Sequence, residues 1–430
     1  MDRLITVLVY PCGAESSLEV FHALKDVVHI RVFGASSRSD HGTFLFKRSI
    51  EGVPDVHAPY FITAINARIA EHGIDAIFPC HDTVAEFLAG NRDAIRARIV
   101  CSEGATASIC RSKKRTYAAM SGTEHLPVTF TSDPPPDAFP LFAKPDKGEG
   151  GRDALRINSV EELDRFSSAH RLEDHLLCEF LPGEEYTIDC FSDRHGALRF
   201  IGPRTRERVW AGVSVRTSAL REEEFRPMAE AINARIRMRG LWFFQAKRDR
   251  GGTLKLLEVS TRAASSMGLF RQLGVNLPLL SLYDAFDMDV RIVKNTFAIT
   301  MDRALTTRYR TDLEYRRVYL DLDDTLLHGD RVDRTALIFA HQCKEQGKEL
   351  VLITKHERDV EATLTSIGIS ERLFDRIIHL RAEEEKADHI EPQGAIFIDN
   401  MFAERRKVAE RFGIPVFDVD AIACLIDHRE

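Results

Sequence analysis

A short apolar run, Val318-Tyr-Leu320, leads directly into Asp321-Leu-Asp323-Asp-Thr325. On an extended backbone, residues two apart face the same side. Asp321 and Asp323 therefore present two carboxylates together where the run ends, and open α/β sheets bind their ligands beyond the carboxyl ends of strands. Such a pair can hold a hard cation through oxygen. One carboxylate can attack phosphorus while the other moves a proton. A polar turn without chemistry is the plainer alternative for these residues alone.

The same pattern recurs downstream. Glu349–Ile353 is apolar and ends on Thr354, and Ala395–Ile398 ends on Asp399 and Asn400. Lys386 lies between them in a Glu-rich stretch, and helical patterns fill the intervals. Strands alternating with helices predict a doubly wound parallel sheet.

The chain of 430 residues has room for roughly two to four domains. Its 44% hydrophobic and 29% charged residues are ordinary for a globular enzyme. A net charge of −7 gives no electrostatic case for a nucleic-acid partner. No apolar stretch approaches the ~18 residues of a membrane span. The N-terminus reads as a first strand rather than a cleavable signal. Eight cysteines without CxxC pairs or Cys/His spacing read as free thiols in a reducing cytoplasm. Cys80 and Cys101 follow strands and read as small buried apolar residues.

Along the first hundred residues, strands are expected at Ile5–Val9, Val27–Phe33, Ala76–Phe78 and Ile99–Cys101, with helices between them. No GxGxxG follows the first strand, so a standard dinucleotide site is not supported. After Pro134-Pro-Pro136 the texture changes. Antiparallel strands are expected at Leu176–Phe180, Tyr186–Phe191, Leu198–Ile201, Leu241–Lys247 and Thr253–Val259. Arg248–Gly252 forms a hairpin turn by composition. Lys144-Pro-Asp-Lys-Gly148 opens a glycine-rich loop through Arg152 whose amides can approach phosphate closely. Side chains at Glu258, Ser260 and Arg262 share a face. A hairpin setting Gln245 opposite Glu258 gathers oxygen ligands of the kind Mg²⁺ takes beside nucleotide phosphates.

The order Asp321-x-Asp323-x-Thr325, Thr354, Lys386, Asp399 resembles the haloacid-dehalogenase-like (HAD) phosphatases, from Arg317 to the C-terminus. That likeness implies a Rossmann-like domain in which Asp321 forms an aspartyl-phosphate and Asp323 is the general acid and base. Thr354 and Lys386 then hold the phosphoryl group. Asp321, Asp399 and the Asp323 carbonyl bind Mg²⁺. The short intervals between these motifs leave no room for a cap. Asn400 stands where many members carry a second acid, and Glu404 reads as an ordinary solvated helix residue.

The preceding part resembles the ATP-grasp superfamily, most closely the carbamoyl-phosphate-synthase large-chain type. The likeness rests on Ile109–Tyr117, Lys144-Pro-x-x-Gly148, Glu179-Phe-Leu-Pro-Gly-Glu-Glu-Tyr-Thr-Ile-Asp189, Gln245 and Glu258-Val-Ser-Thr-Arg262. It implies that Lys113 and Lys144 contact ATP phosphates, that Glu179 and Leu181 flank adenine, and that Glu185 binds ribose. Gln245, Glu258 and Ser260 are the implied Mg²⁺ ligands. Arg262 lies near the transferring phosphoryl group, and Arg204 or Arg206 meets a carboxylate substrate. Ser260 replaces the usual Asn. Ser112 stands where an Asp commonly precedes the Lys, which leaves Lys113 and Lys114 both open as the matching residue.

The expected fold is therefore multidomain, α/β and α+β. It has a βαβ domain before the grasp over 1–105, an ATP-grasp domain over 106–305, a linker over 306–316, and a capless HAD-like domain over 317–430. The expected protein is a cytoplasmic bifunctional enzyme. One half is a carboxylate–amine ligase acting through an acyl phosphate, and the other a Mg²⁺-dependent phosphatase. Small-molecule or surface-polysaccharide biosynthesis is the expected setting. Its partners are a small acid, an amine and a phosphorylated substrate, with a homodimer allowed. Two rivals stay open: a phosphatase with a regulatory nucleotide module, and a ligase with a non-catalytic second half.

Overall fold

The computed structural model describes residues 3–131, 133–148, 150–309 and 311–429. Glu149 of the glycine-rich loop and Arg310 of the expected linker lie outside the described residues. The chain divides into two compact units, one reaching Leu305 and one beginning at Thr306. Among the described residues no helix is long and apolar enough to cross a membrane.

The first unit opens with β1 (Ile5–Tyr10), β2 (Ile30–Ala35), β3 (Ser49–Ile50), β4 (Ala76–Pro79) and β5 (Arg98–Ile99). They form one parallel sheet in the order β3-β2-β1-β4-β5. Every residue of β1 is buried, as expected of a β-branched run covered on both faces. The expected strand at Val27 starts later, at Ile30. Ile30 N–H closes a turn onto the Val27 carbonyl, and Val28 is 95% exposed. The two-residue β3 is too short to give a periodic signal.

An antiparallel sheet follows, built from β6 (Thr129–Phe130), β7 (Leu141–Pro145), β8 (Leu155–Ile157) and β9 (His175–Glu179) in the order β6-β9-β7-β8. Next come β10 (Glu185–Ser192), β11 (Leu198–Thr205), β12 (Arg208–Trp210), β13 (Val213–Ser218), β14 (Gly240–Arg248), β15 (Leu254–Ser260) and β16 (Thr300–Asp302). The large sheet runs β11-β10-β14-β15 and is antiparallel throughout. A small sheet, β12-β13-β16, was not legible in sequence, because β12 is exposed at every residue and shows no alternation.

The second unit holds β17 (Arg317–Leu320), the hairpin β18 (Leu327–His328) and β19 (Arg331–Val332), then β20 (Glu349–Thr354), β21 (Arg376–His379), β22 (Ala395–Ile398) and β23 (Val416–Phe417). Five of them form a parallel sheet in the order β21-β20-β17-β22-β23, with β17 central. The end of the 306–316 segment is tied down. Leu313 and Tyr315 pack on this unit's core, Lys348 lies over the Tyr315 ring, and Arg316 N–H donates to the Gly394 carbonyl.

Candidate active sites

In the large sheet, directly opposed residues share a face. One row crosses all four strands: Arg204, Thr187, Gln245, Glu258. Gln245 therefore stands opposite Glu258. An irregularity sits beside this pair. Gln245 pairs with Glu258, but Ala246 pairs with Leu256, so Leu257 is an extra residue with no partner across the ladder. A bulge of this kind switches the parity of a strand. Leu254, Leu256 and Val259 can all enter one core cluster, while Glu258 lies off it. It also releases the Leu257 carbonyl from the ladder, and Lys144 Nζ donates to that carbonyl at 2.8 Å.

Lys144, on β7, is 6% exposed and also donates to Tyr117 Oη at 2.9 Å. Burial lowers its ammonium pKa below the usual value, and neighbouring Glu258 and Glu185 offset part of that. Lys113 begins the helix Lys113–Ala119, whose N-cap is Ser112. The Ser112 hydroxyl donates to Asp146 and accepts from Arg115 N–H. Asp146 also accepts from Lys114 N–H. Ser112 and Asp146 together thus supply the acceptors that a helix start needs. Lys113 Nζ lies 3.7 Å from Glu258 Oε2 and donates to the Gly148 carbonyl, whereas the Lys114 ammonium turns to the Glu173 carbonyl. The structure separates the two lysines: Lys113 faces Glu258.

Glu179 ends β9 and accepts from Val128 N–H through Oε1 at 2.9 Å, and Leu181 is buried. Glu185 pairs with Arg206 at 2.7 Å and lies 3.7 Å from Lys247. Arg204 and Asp189 form a buried pair at 2.7 Å, with side-chain exposures of 2% and 0%. Burial raises the Asp189 pKa, and Arg204 offsets part of that rise. Among the described residues, Arg204 Nη1 and Asp189 Oδ1 have no hydrogen-bond partner.

Ser260 and Arg262 share a partner that sequence reasoning missed. Ser260 Oγ donates to Asp82 Oδ1 at 2.6 Å, and Arg262 Nε donates to Asp82 Oδ2 at 2.9 Å. Asp82 is the first residue of the helix Asp82–Gly90, just after β4. Burial works against its charge, yet Arg262 and the hydrogen bonds hold its pKa below the usual carboxylate value. A strand ending in polar residues, Pro79-Cys-His-Asp82, was the available signal. Asp82→Ala is expected to lower stability by about 2–3 kcal/mol, since it removes a charged partner of Arg262 and the acceptor of Ser260. A urea-denaturation midpoint unchanged from wild type would show that this contact holds nothing together.

In the second unit, Asp321 follows β17, Thr354 ends β20, and Asp399 follows β22. These three strands are neighbours in one parallel sheet, so their ends converge. Lys386, in the short 3₁₀ turn Lys386–His389, donates through Nζ to Asp321 Oδ1 and Asp399 Oδ2, each at 2.6 Å. Thr325 Oγ1 lies 3.3 Å from Asp321 Oδ2 and accepts from Asn400 N–H. Burial raises the Asp321 pKa. Lys386 opposes that rise, and the nearby Asp399 charge adds to it. Burial works against the Lys386 ammonium, but the two carboxylates raise its pKa overall. Asp324, directly after the second of the two expected catalytic acids, takes a positive φ of 51°, a strained backbone of the kind found at functional turns.

Asp323 is half exposed and meets His356, a contact absent from the sequence reading. One expectation needs correction. Glu404 is not a solvated helix residue: it is 7% exposed and pairs with Lys355 at 3.1 Å. Asn400 contributes main chain, with its carbonyl accepting from Arg405. Cys80 and Cys101 are buried.

Residues 171–307 match a protein family described as ATP-grasp in the biosynthetic pathway with Ter operon. The biotin carboxylase domain of Hydrogenobacter thermophilus 2-oxoglutarate carboxylase is similar in structure. Its TM-score is 0.55 at 18% identity, covering 68% of this chain and 72% of that one. The chain carries an ATP-grasp domain. Campylobacter jejuni biotin carboxylase gives a TM-score of 0.54 at 15% identity, covering 67% of this chain and 72% of its own. The L-amino acid ligase of Bacillus licheniformis gives 0.52 at 18% identity, covering 66% and 75%. No curated protein matches by sequence. Within the ATP-grasp domain, the matched stretch includes the whole Arg204–Thr187–Gln245–Glu258 row.

Proposed function

We propose that the ATP-grasp domain is an ATP-dependent carboxylate–amine ligase working through an acyl phosphate, and that the second unit is a HAD-like phosphatase. The observation that carries the first activity is the Gln245–Glu258 pair facing Lys113, with Lys144 buried alongside. In support, the solved relatives include a biotin carboxylase domain named as a complex with MgADP and an L-amino acid ligase.

In this reading Lys113 and Lys144 hold nucleotide phosphates. An ammonium has three N–H bonds, and Lys144 spends two on Tyr117 and Leu257. Glu179 and Leu181 border the adenine and Glu185 the ribose. Gln245 and Glu258 offer the hard oxygens that fit Mg²⁺. Among the described residues no three His, Cys, Asp or Glu side chains gather into a metal cluster, so phosphate oxygens complete the set. The cation, when bound, spreads charge on the transferring phosphoryl group. Arg262 stands by that group. Arg204 brings its unpartnered Nη1 to the substrate carboxylate, and Arg206 lies next to it.

In the second unit, Asp321 and Asp399 lie close enough for one ammonium to bridge them, and with the Asp323 carbonyl they would supply the hard oxygens of a divalent cation that stabilises phosphoryl charge. Asp321 attacks phosphorus and Asp323 protonates the leaving oxygen. Asp323 then takes a proton from the water that opens the aspartyl-phosphate. Thr354 and Lys386 hold the phosphoryl oxygens. Only the β18–β19 hairpin and the helix Arg334–Glu345 separate Thr325 from β20, which supports the reading of a domain without a cap. The two activities suit one biosynthetic sequence in a cytoplasmic enzyme acting on a small acid, an amine and a phosphoester. The order of motifs supports the carbamoyl-phosphate-synthase type.

One observation favours a second reading, in which the ATP-grasp domain binds nucleotide only to regulate the phosphatase. Ser260 directs its hydroxyl at Asp82 and so is a poor Mg²⁺ ligand. ADP release by the full chain, screened over amino and hydroxy acids beside a phosphoester panel, separates the two. Ligase function requires acid-dependent ADP release. Background ADP release with every acid and amine, together with phosphoester hydrolysis, supports the regulator.

A further inference from the structure

Asp323 projects from a turn and its side chain is half exposed. A carboxylate in that setting samples several rotamers, and a proton-transfer group works only from the correct one. His356 removes that freedom. Its Nδ1 lies 2.9 and 3.0 Å from the two Asp323 oxygens. The ring is 6% exposed, so it is part of the interior and not a surface partner.

His356 is itself fixed on several sides. Nε2 lies 2.9 Å from Thr363 Oγ1, in the first turn of the helix Val360–Ser366. Its backbone N–H donates to Thr354 Oγ1 at 3.1 Å, and its carbonyl accepts from His379 Nε2 at 2.7 Å. An ionised carboxylate only accepts, so Nδ1 carries the proton toward Asp323. The Thr363 hydroxyl can give or take, so the network closes without a charged ring. The same residue thus touches the expected proton-transfer group with its ring and the expected phosphate-holding Thr354 with its backbone.

We propose that His356 is a positioning residue that locks Asp323 in the orientation from which it exchanges protons with leaving group and water. This rests on the phosphatase reading above. A residue that acts through another contributes nothing once that other is gone. The test is a double-mutant cycle in the full-length chain with p-nitrophenyl phosphate and Mg²⁺.

His356→Ala should lower kcat by about tenfold to a hundredfold, with KM within about twofold of wild type. In an Asp323→Asn background the same change should cost nothing further. His356→Asn, which keeps a donor near the Nδ1 position, should recover most of the rate. His356→Gln, which keeps only a donor near Nε2, should not. Equal losses in both backgrounds, or recovery by Gln and not by Asn, would overturn the proposal. If His356→Ala does not fold, the Asn and Gln variants carry the same cycle. The imidazole ¹⁵N resonances of His356, read at one pH, report the contact without turnover. They should move in Asp323→Asn, and unmoved resonances overturn the proposal. A wild-type chain that hydrolyses no phosphoester while those resonances do move would remove the phosphatase reading and leave the contact standing.

Discussion

Asp321→Asn should abolish phosphoester hydrolysis and leave ATP turnover near wild type. A carboxamide cannot form the acyl-phosphate bond, and it is a poorer ligand for a hard cation. The loss expected is about a thousandfold or more. Residual hydrolysis at about a tenth of wild type would rule out a covalent route through this residue. Stability should move differently. The folded-state pKa of Asp321 is raised above its unfolded value by burial, with Asp399 adding to the rise against Lys386. A raised carboxyl contributes stability below its unfolded pKa, and that contribution is lost as pH rises through the folded value. At neutral pH the ionised Asp321 therefore weighs against folding. The Asn variant should unfold at the same or a higher urea concentration than wild type. An inactive variant that is also clearly less stable would point to damage instead of lost chemistry.

Glu258→Gln should produce the opposite pattern, with ATP turnover lost and phosphoester hydrolysis kept. The change retains shape in the cross-strand row but sets two carboxamides side by side. Lys113, 3.7 Å from Glu258 Oε2, loses its counter-charge. Loss of one charged ligand from a two-ligand protein set should cost about a hundredfold or more. ADP release and phosphate release from separate substrates, measured on one preparation, decide the matter. Parallel loss of both would sink the assignment of two separate sites.

Much of this arrangement was legible in the chain. The runs before Asp321, Thr354 and Asp399 named three neighbouring strands, because buried parallel strands are apolar throughout and end abruptly in polar residues. The Gln245–Glu258 pairing followed from two strands flanking a glycine turn. What could not be read lay in contacts between distant segments. Asp82 meets Ser260 and Arg262 across most of the first unit, and the polar end of the strand before it marks a site without naming those partners. His356 carries no local signal, because its ring is held by Asp323 and Thr363 from other segments. Glu404 looked solvated, because a helix with few apolar residues gives no hint that Lys355 covers one of its acids. The sheet β12-β13-β16 was invisible for the opposite reason: its strands are short, and β12 is exposed at every residue.

The extra residue in β15 has a consequence for how this site tolerates change. The acceptor for the Lys144 ammonium is the Leu257 carbonyl, and every amino acid brings a carbonyl. Replacing the Leu257 side chain leaves that acceptor in place, so point-by-point substitution along the strand would pass over it. Removing one residue there is another matter. The ladder would close, Glu258 would still stand opposite Gln245, and Lys144 would be left buried with Tyr117 as its remaining partner. The lysine's environment is thus encoded in the number of residues between Leu256 and Glu258. Drift in composition cannot erode it, whereas a single lost codon can.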